Sequence, residues 1–315
     1  MDGAGTVDGT LSRFMSARGP QTVVIGPWSH GAAIEGHDAD PFHPANAPVR
    51  RPSRAEGSQT IMAFFDSYLK GTRQPPPSRE IRYYTLGEGS WHTTPVWPPR
   101  GTTTQRWFLG ANGTLGRGRP TAASGEDRYA VDFEATGGQS NRWHTQAGGD
   151  VVFPDRARAD AKLLRYTSAP LDRALEITGH PVVTLDVTST ATDGAFIAYL
   201  EDVAPNGRVT YITEGELRAL HRKVSRGEPP YSVFGPYHSF RRADAEPLVP
   251  GRGAELRFAL QPTSVLIGKN HRIRIAIAGA DKGTFARIPA TGNPVITVAR
   301  SAVHASAIDL PVRSR

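Results

Sequence analysis

The spacing of hydrophobic positions changes about a third of the way along the chain. Leu11, Phe14 and Met15 fall at i, i+3 and i+4 ahead of Gly19-Pro20, which predicts a helix with a defined stop. Residues 22–26 (TVVIG) are a continuous β-branched run ended by Gly26-Pro27. Such a run predicts a strand buried on both faces, as in a parallel sheet covered by helices. A second helix is predicted from Ser53, at capping-box spacing from Glu56, through Ile61, Phe64, Phe65, Tyr68 and Leu69 to Gly71. Pro75-Pro76-Pro77 then separates it from a strand at 81–86 (IRYYTL). The order α, β, α, β is an α/β layer, yet two strands are too few to bury two helices and each other. Further strands are therefore expected upstream of Asp2.

Beyond residue 100 the period becomes 2. Apolar alternation marks short segments at 105–109 (QRWFL), 162–166 (KLLRY), 182–187 (VVTLDV), 196–202 (FIAYLED), 254–260 (AELRFAL) and 271–278 (HRIRIAIA). In the last, Ile273, Ile275 and Ile277 share one strand face and Arg272 and Arg274 the other. Pro205-Asn206-Gly207 between two such segments predicts a hairpin. Many short strands with irregular connections predict a two-sheet jelly roll over residues 101–315. The fold class expected is α/β plus all-β, with the α/β part confined to residues 1–100.

Composition narrows the function classes. The 33 Gly and 26 Pro have no fixed period, which favours a turn-rich β fold over collagen. At 38% hydrophobic and 21% charged residues the chain is too apolar for wholesale disorder, and no stretch of about 18 apolar residues could cross a bilayer. No membrane partner is expected. The absence of Cys removes disulfides, thiolate metal sites and cysteine nucleophiles. The first ten residues, MDGAGTVDGT, lack a basic n-region and an apolar h-region, so the chain as written is expected to be cytoplasmic. Its net charge of +7 is carried mainly by scattered Arg, such as Arg165 and Arg173. Without an aromatic-interleaved basic stripe this reads as a solvated surface, and no nucleic-acid partner is expected.

The candidate chemistry lies at the end of the first predicted strand. There the chain reads Gly26-Pro27-Trp28-Ser29-His30-Gly31, placing His30 just past the C-terminal end of a parallel strand, where open α/β sheets carry their sites. Asp2 precedes the helix that feeds this strand, so both residues are expected at one sheet edge, a single crossover apart. An α/β-hydrolase arranges its acid and base this way, in the chain order Ser, Asp or Glu, His. The carboxylate fixes the imidazole tautomer, and the imidazole takes the serine proton. The competing reading is a loop histidine making a structural hydrogen bond.

Met1-Asp2-Gly3, the 28-residue interval to His30, the GPWSHG segment and residues 64–71 (FFDSYLKG) together resemble the cocaine esterase and Xaa-Pro dipeptidyl-peptidase group of serine hydrolases. The resemblance continues through 164–170 (LRYTSAP), 175–179 (LEITG), 202–208 (DVAPNGR), 214–218 (EGELR), 262–265 (PTSV) and 310–312 (LPV). It implies that Asp2 and His30 are the catalytic acid and base. It also implies that residues 1–100 are the C-terminal part of an α/β-hydrolase domain, followed by a galactose-binding-like jelly roll. The implied substrate is a small ester or an Xaa-Pro peptide, with no cofactor and no metal. In one respect the chain departs from the group, because no G-x-S-x-G elbow occurs in its 315 residues. The resemblance therefore implies a nucleophile in a missing N-terminal hydrolase half, with Met1 an internal methionine or the start of a split product.

Other arrangements compete for the same residues. His30, His37, Asp38, Asp40 and His43 crowd one segment and could ligate zinc or manganese, although the spacing puts no pair on one helical face. Trp91, Trp97, Trp107 and Trp143 could form a carbohydrate surface or fill the core and the seam between domains. Ser29 adjoins His30 but lacks the flanking glycines of a nucleophile elbow, which suits a turn-orienting hydrogen bond better. Two functions stand: the acid-and-base portion of a serine hydrolase, or a catalytically inactive jelly-roll module for binding or assembly.

Overall fold

The computed structural model describes residues 5–28, 40–42, 54–71, 79–147, 149 and 151–314. The chain begins with α1 (Thr6–Ser16), β1 (Gln21–Ile25), α2 (Arg54–Tyr68), β2 (Arg79–Thr85) and β3 (Ser90–Thr94). As the sequence predicts, β1 runs parallel to β2, from Gln21 opposite Arg79 to Ile25 opposite Tyr83, and β3 returns antiparallel on the far side of β2. The helical spacing of α1 turns Leu11 and Phe14 onto Ile25, Ile81, Tyr83 and Trp97 in a small core. Arg79 closes the helix: its guanidinium donates to the carbonyls of Ala17 and Phe14 and lies 4.3 Å over the Phe14 ring. Those carbonyls have no partner within the helix, so the cation satisfies them where the helix dipole favours positive charge.

One expectation for this region needs correction. The run at 22–26 is not buried on both faces: Val23 packs on the small core and Ile25 enters it, whereas Thr22 is exposed and Val24 is 38% exposed. Among the described residues β1 pairs with β2 along one edge, and the face that carries Thr22 and Val24 is left largely exposed. The second helix forms as expected, and its apolar stripe is left exposed, as two strands too few to bury two helices would leave it. Ile61, Met62, Phe64, Phe65 and Tyr68 are exposed, and Leu69 just beyond the helix is 76% exposed. Among the described residues the rings meet one another, with Phe64 centred 4.6 Å from Tyr68 and 5.6 Å from Phe65.

The rest of the described chain is a β-sandwich. Its strands are β4 (Thr102–Gly110), β5 (Thr114–Gly116), β6 (Glu126–Ala130), β7 (Leu164–Ser168), β8 (Leu175–Gly179), β9 (Val182–Ser189), β10 (Ala195–Val203), β11 (Val209–Arg218), β12 (Ala254–Ala259), β13 (Thr263–Ile267), β14 (Arg272–Ala278), β15 (Val295–Ala299) and β16 (Ala307–Arg313). They pair in the order β11-β10-β14-β7-β5-β4-β16-β9-β15-β6, with β12 added to β9, β8 to β16 and β13 to β8. Ile273, Ile275 and Ile277 point into the main core, where Phe196, Leu200, Val183, Leu185, Leu256 and Leu310 meet them. The Asn-Gly turn joins β10 to β11 as an antiparallel hairpin, as predicted. At Gly215 on β11, an added Cβ would lie 2.4 Å from the Ala259 carbonyl oxygen, so close backbone approach requires glycine there.

The outer face of β10 and β14 is also covered. Ile197, Tyr199, Ala276 and Ala278 form a second apolar layer under Leu163, Tyr211 and Phe285. The small sheet and the sandwich are joined through β2. Leu86 exchanges backbone hydrogen bonds with Ser264 (2.9 Å) and Leu266 (2.8 Å), and Tyr84 and Leu86 enter the main core.

Candidate functional site

Asp2, Ser29 and His30 lie outside the described residues, as do His37, Asp38 and His43. The elements that flank them in sequence are well defined. Asp2 precedes α1, which packs on β1, and His30 follows β1 by way of Gly26, Pro27 and Trp28. The Trp28 ring turns back to Trp91 of β3, with centroids 5.8 Å apart, and Trp91 meets Tyr84 edge-on at 5.5 Å. A Cβ on Gly26 would fall 2.3 Å from the Trp28 ring, so the strand can end in this aromatic lock only with glycine at that position. The start of the His30 segment is thereby anchored to β3.

Its far side is anchored at Asp40. This carboxylate is buried, accepts the Gly87 N–H at 2.9 Å and the Phe42 N–H at 3.2 Å, and is met by the Tyr84 hydroxyl at 3.2 Å. These donors pin the chain to the turn between β2 and β3. Of the five residues considered for a metal, the one described is thus committed to backbone donors and a phenol.

The tryptophans pack rather than line a surface. Trp97 is buried in the small core, Trp91 and Trp107 pack against the main core, and the Trp143 indole N–H donates to Glu214 Oε1 at 2.6 Å. That bond belongs to a buried polar assembly that sequence reading misses. Arg156 Nε donates to Glu201 Oε1 at 2.7 Å and Arg156 Nη2 lies 3.1 Å from Asp160 Oδ1, while the Tyr199 hydroxyl donates to Asp281 Oδ2 at 2.7 Å. Burial, followed by the neighbouring Asp160 charge, raises the Glu201 carboxyl above its ordinary range. Glu216, on the same strand face as Glu214, is pushed up to about 8 by burial and then by the Glu214 charge. A cavity beside this assembly, between Asn141, Tyr211, Glu214 and Asp281, measures about 20 Å³. That is room for no more than one water, and the assembly ties the segment from Trp143 to Asp160 to the sheet. The only sequence signal was charge inside an otherwise apolar strand, Glu201-Asp202 at the end of FIAYLED.

Comparison with known proteins agrees with this architecture. The family described as the X-Pro dipeptidyl-peptidase C-terminal non-catalytic domain matches residues 74–308. A Mycobacterium tuberculosis protein bearing the name serine esterase is 46% identical over 98% of this chain and 48% of its own length. The cocaine esterase of a Rhodococcus species is 27% identical over 70% of this chain and 40% of its own length. The chain thus spans about half the length of the mycobacterial relative. Among solved structures, an aminopeptidase from a Thaumarchaeota archaeon superposes with a TM-score of 0.70 at 21% identity, over 92% of this chain and 49% of that one, which supports the fold. The chain belongs to the cocaine esterase and Xaa-Pro dipeptidyl-peptidase family, with the family's non-catalytic C-terminal domain over residues 74–308.

Proposed function

We propose that this chain is the acid-and-base portion of a serine hydrolase that cleaves small esters or N-terminal Xaa-Pro peptides. On this reading residues 1–100 are the C-terminal part of an α/β-hydrolase domain, and residues 101–315 are the jelly roll that covers it. The carrying observation is the crossover: α1 feeds β1, β1 is parallel to β2, and in sequence Asp2 precedes the first and His30 follows the second. His30 takes the proton from a serine Oγ as that oxygen attacks the acyl carbon. It then returns the proton to the departing alkoxide or amine, and repeats the cycle with water to release the acid. Asp2 holds the ring in the accepting tautomer and stabilises the imidazolium.

Two further observations support a hydrolase sheet that continues beyond the described elements. Among the described residues the second edge of β1 has no strand beside it, and this edge, the exposed Val24 and the exposed apolar stripe of α2 are surfaces that neighbouring strands and helices of an α/β layer would bury. The serine comes from a G-x-S-x-G elbow in the upstream half. The purified chain mixed with p-nitrophenyl acetate should accordingly show no acyl-enzyme burst and no turnover above buffer. A burst stoichiometric with protein would overturn the assignment of the nucleophile to another segment.

A second reading is favoured by the non-catalytic description of the matching domain: the chain acts only as a binding or assembly module. Turnover gained when the chain is joined to an upstream hydrolase half separates the two.

A further inference from the structure

His180 sits in the turn between β8 and β9, and its side chain is only 5% exposed. The imidazole Nε2 is 2.9 Å from Oδ1 of Asp8 on α1, and Nδ1 is 3.3 Å from the indole nitrogen of Trp97. An indole N–H can only donate and a carboxylate only accept. Nδ1 must therefore be the acceptor, and Nε2 carries the proton donated to Asp8. The two neighbours together specify a neutral ring of one tautomer. Its face is stacked on Phe234, with centroids 4.4 Å apart and planes within 7°, and Trp97 itself lies in the core that α1 shares with β1 and β2. The preceding Gly179 is closed in by Pro311 and Pro98.

We propose that neutral His180 is the positioning residue that clasps α1 to the sandwich, and that acid opens this joint. A proton added at Nδ1 would set two N–H groups against each other across 3.3 Å and place a cation between Phe234 and Trp97. Among the described residues, Asp8 is the one charged group that acts on the ring, and it is 44% exposed, so solvent weakens its compensation. Burial holds the His180 pKa below the ordinary histidine value, with Asp8 opposing. The opened form therefore binds the proton more tightly. The clasp is at full strength above about pH 6.5 and is lost as pH falls through the lowered value of the closed form. On the reading above, α1 begins four residues after Asp2, so this contact would also position the catalytic acid; that consequence rests on that reading, and the test does not.

Hydrogen exchange over Thr6–Ser16, corrected for intrinsic rates and referenced to β9 and β14, should lose protection between pH 7.5 and 5.5, by up to about tenfold, the most that one group can give one unit below its free pKa. His180→Gln, whose amide can still donate to Asp8 but cannot titrate, should show no such change. An equal pH response in wild type and His180→Gln, or none in wild type, would overturn the proposal. Ring ¹⁵N shifts need no variant: at pH 7.5 they should report the Nε2–H tautomer, and an Nδ1–H tautomer or an imidazolium would refute the clasp. Neither measurement reads turnover, so failure of the hydrolase reading would leave its result intact.

Discussion

Glu216 faces a covered side of β11, beside Glu214, and one of its carboxyl oxygens is sealed from water without a hydrogen bond. With its pKa raised from the ordinary carboxyl value to about 8, the folded chain holds a proton that the unfolded chain releases above about pH 4.5. Stability from this group is therefore complete in acid and is lost as pH rises through about 8. Glu216→Gln removes the titration, and thermal unfolding at pH 9 should show the variant more stable than wild type by about 1–2 kcal/mol, with the gap closing towards pH 5. A gap independent of pH would mean that the carboxyl is not the cause. At this scale the sequence was least informative. Asp2 and His30 stood out because an acid and a base at that spacing suit a known chemistry, whereas Glu214 and Glu216, although they lie in the resembling segment 214–218, and His180 carried no sign of a role of their own, and Glu201 only that of a charge in an apolar strand. Partners such as Arg156 for Glu201 (2.7 Å), Arg142 for Glu214 (4.0 Å) and Asp8 for His180 (2.9 Å) arrive from segments far away in the chain, and periodicity carries no record of such meetings.

Elements were legible in proportion to how fully the chain buries them. β14 announces itself through alternating isoleucines because one face meets the main core and Arg272 and Arg274 lie on the other. The strand at β10 reads as almost continuously apolar, and the reason emerges only in three dimensions: Phe196, Ala198 and Leu200 enter the main core while Ile197 and Tyr199 support the covering layer. The run in β1 led to the opposite error. Its composition suits a strand covered twice, but among the described residues only the face carrying Val23 and Ile25 is packed. The α2 stripe carries the same message, with Phe64 and Leu69 exposed. Hydrogen exchange of the isolated chain should find α2 and β1 weakly protected relative to β9, β10 and β14, because local opening is easiest where few apolar contacts resist it. A dilute monomer with equal protection throughout would contradict the claim that these surfaces await neighbouring elements.

For the molecule as a whole, one extended hydrogen-bonded network closes into a sandwich, and a smaller helix-and-strand layer is fixed to it through Leu86, the Thr85–Ser264 hydroxyl contact and the Arg313–Tyr83 bond. The helix-and-strand layer is thus tied to the sandwich, while among the described residues Val24 and the apolar stripe of α2 stay exposed. The central claim is that His30 serves as general base for a serine supplied by another hydrolase segment. The most direct measurement is ester turnover by the chain joined to the upstream half of its mycobacterial relative, in wild-type and His30→Ala forms. Turnover should appear in the joined wild-type protein and fall by at least about 10³-fold in His30→Ala with folding unchanged, since a triad without its base loses the activated nucleophile. Equal turnover in the two forms would contradict the account.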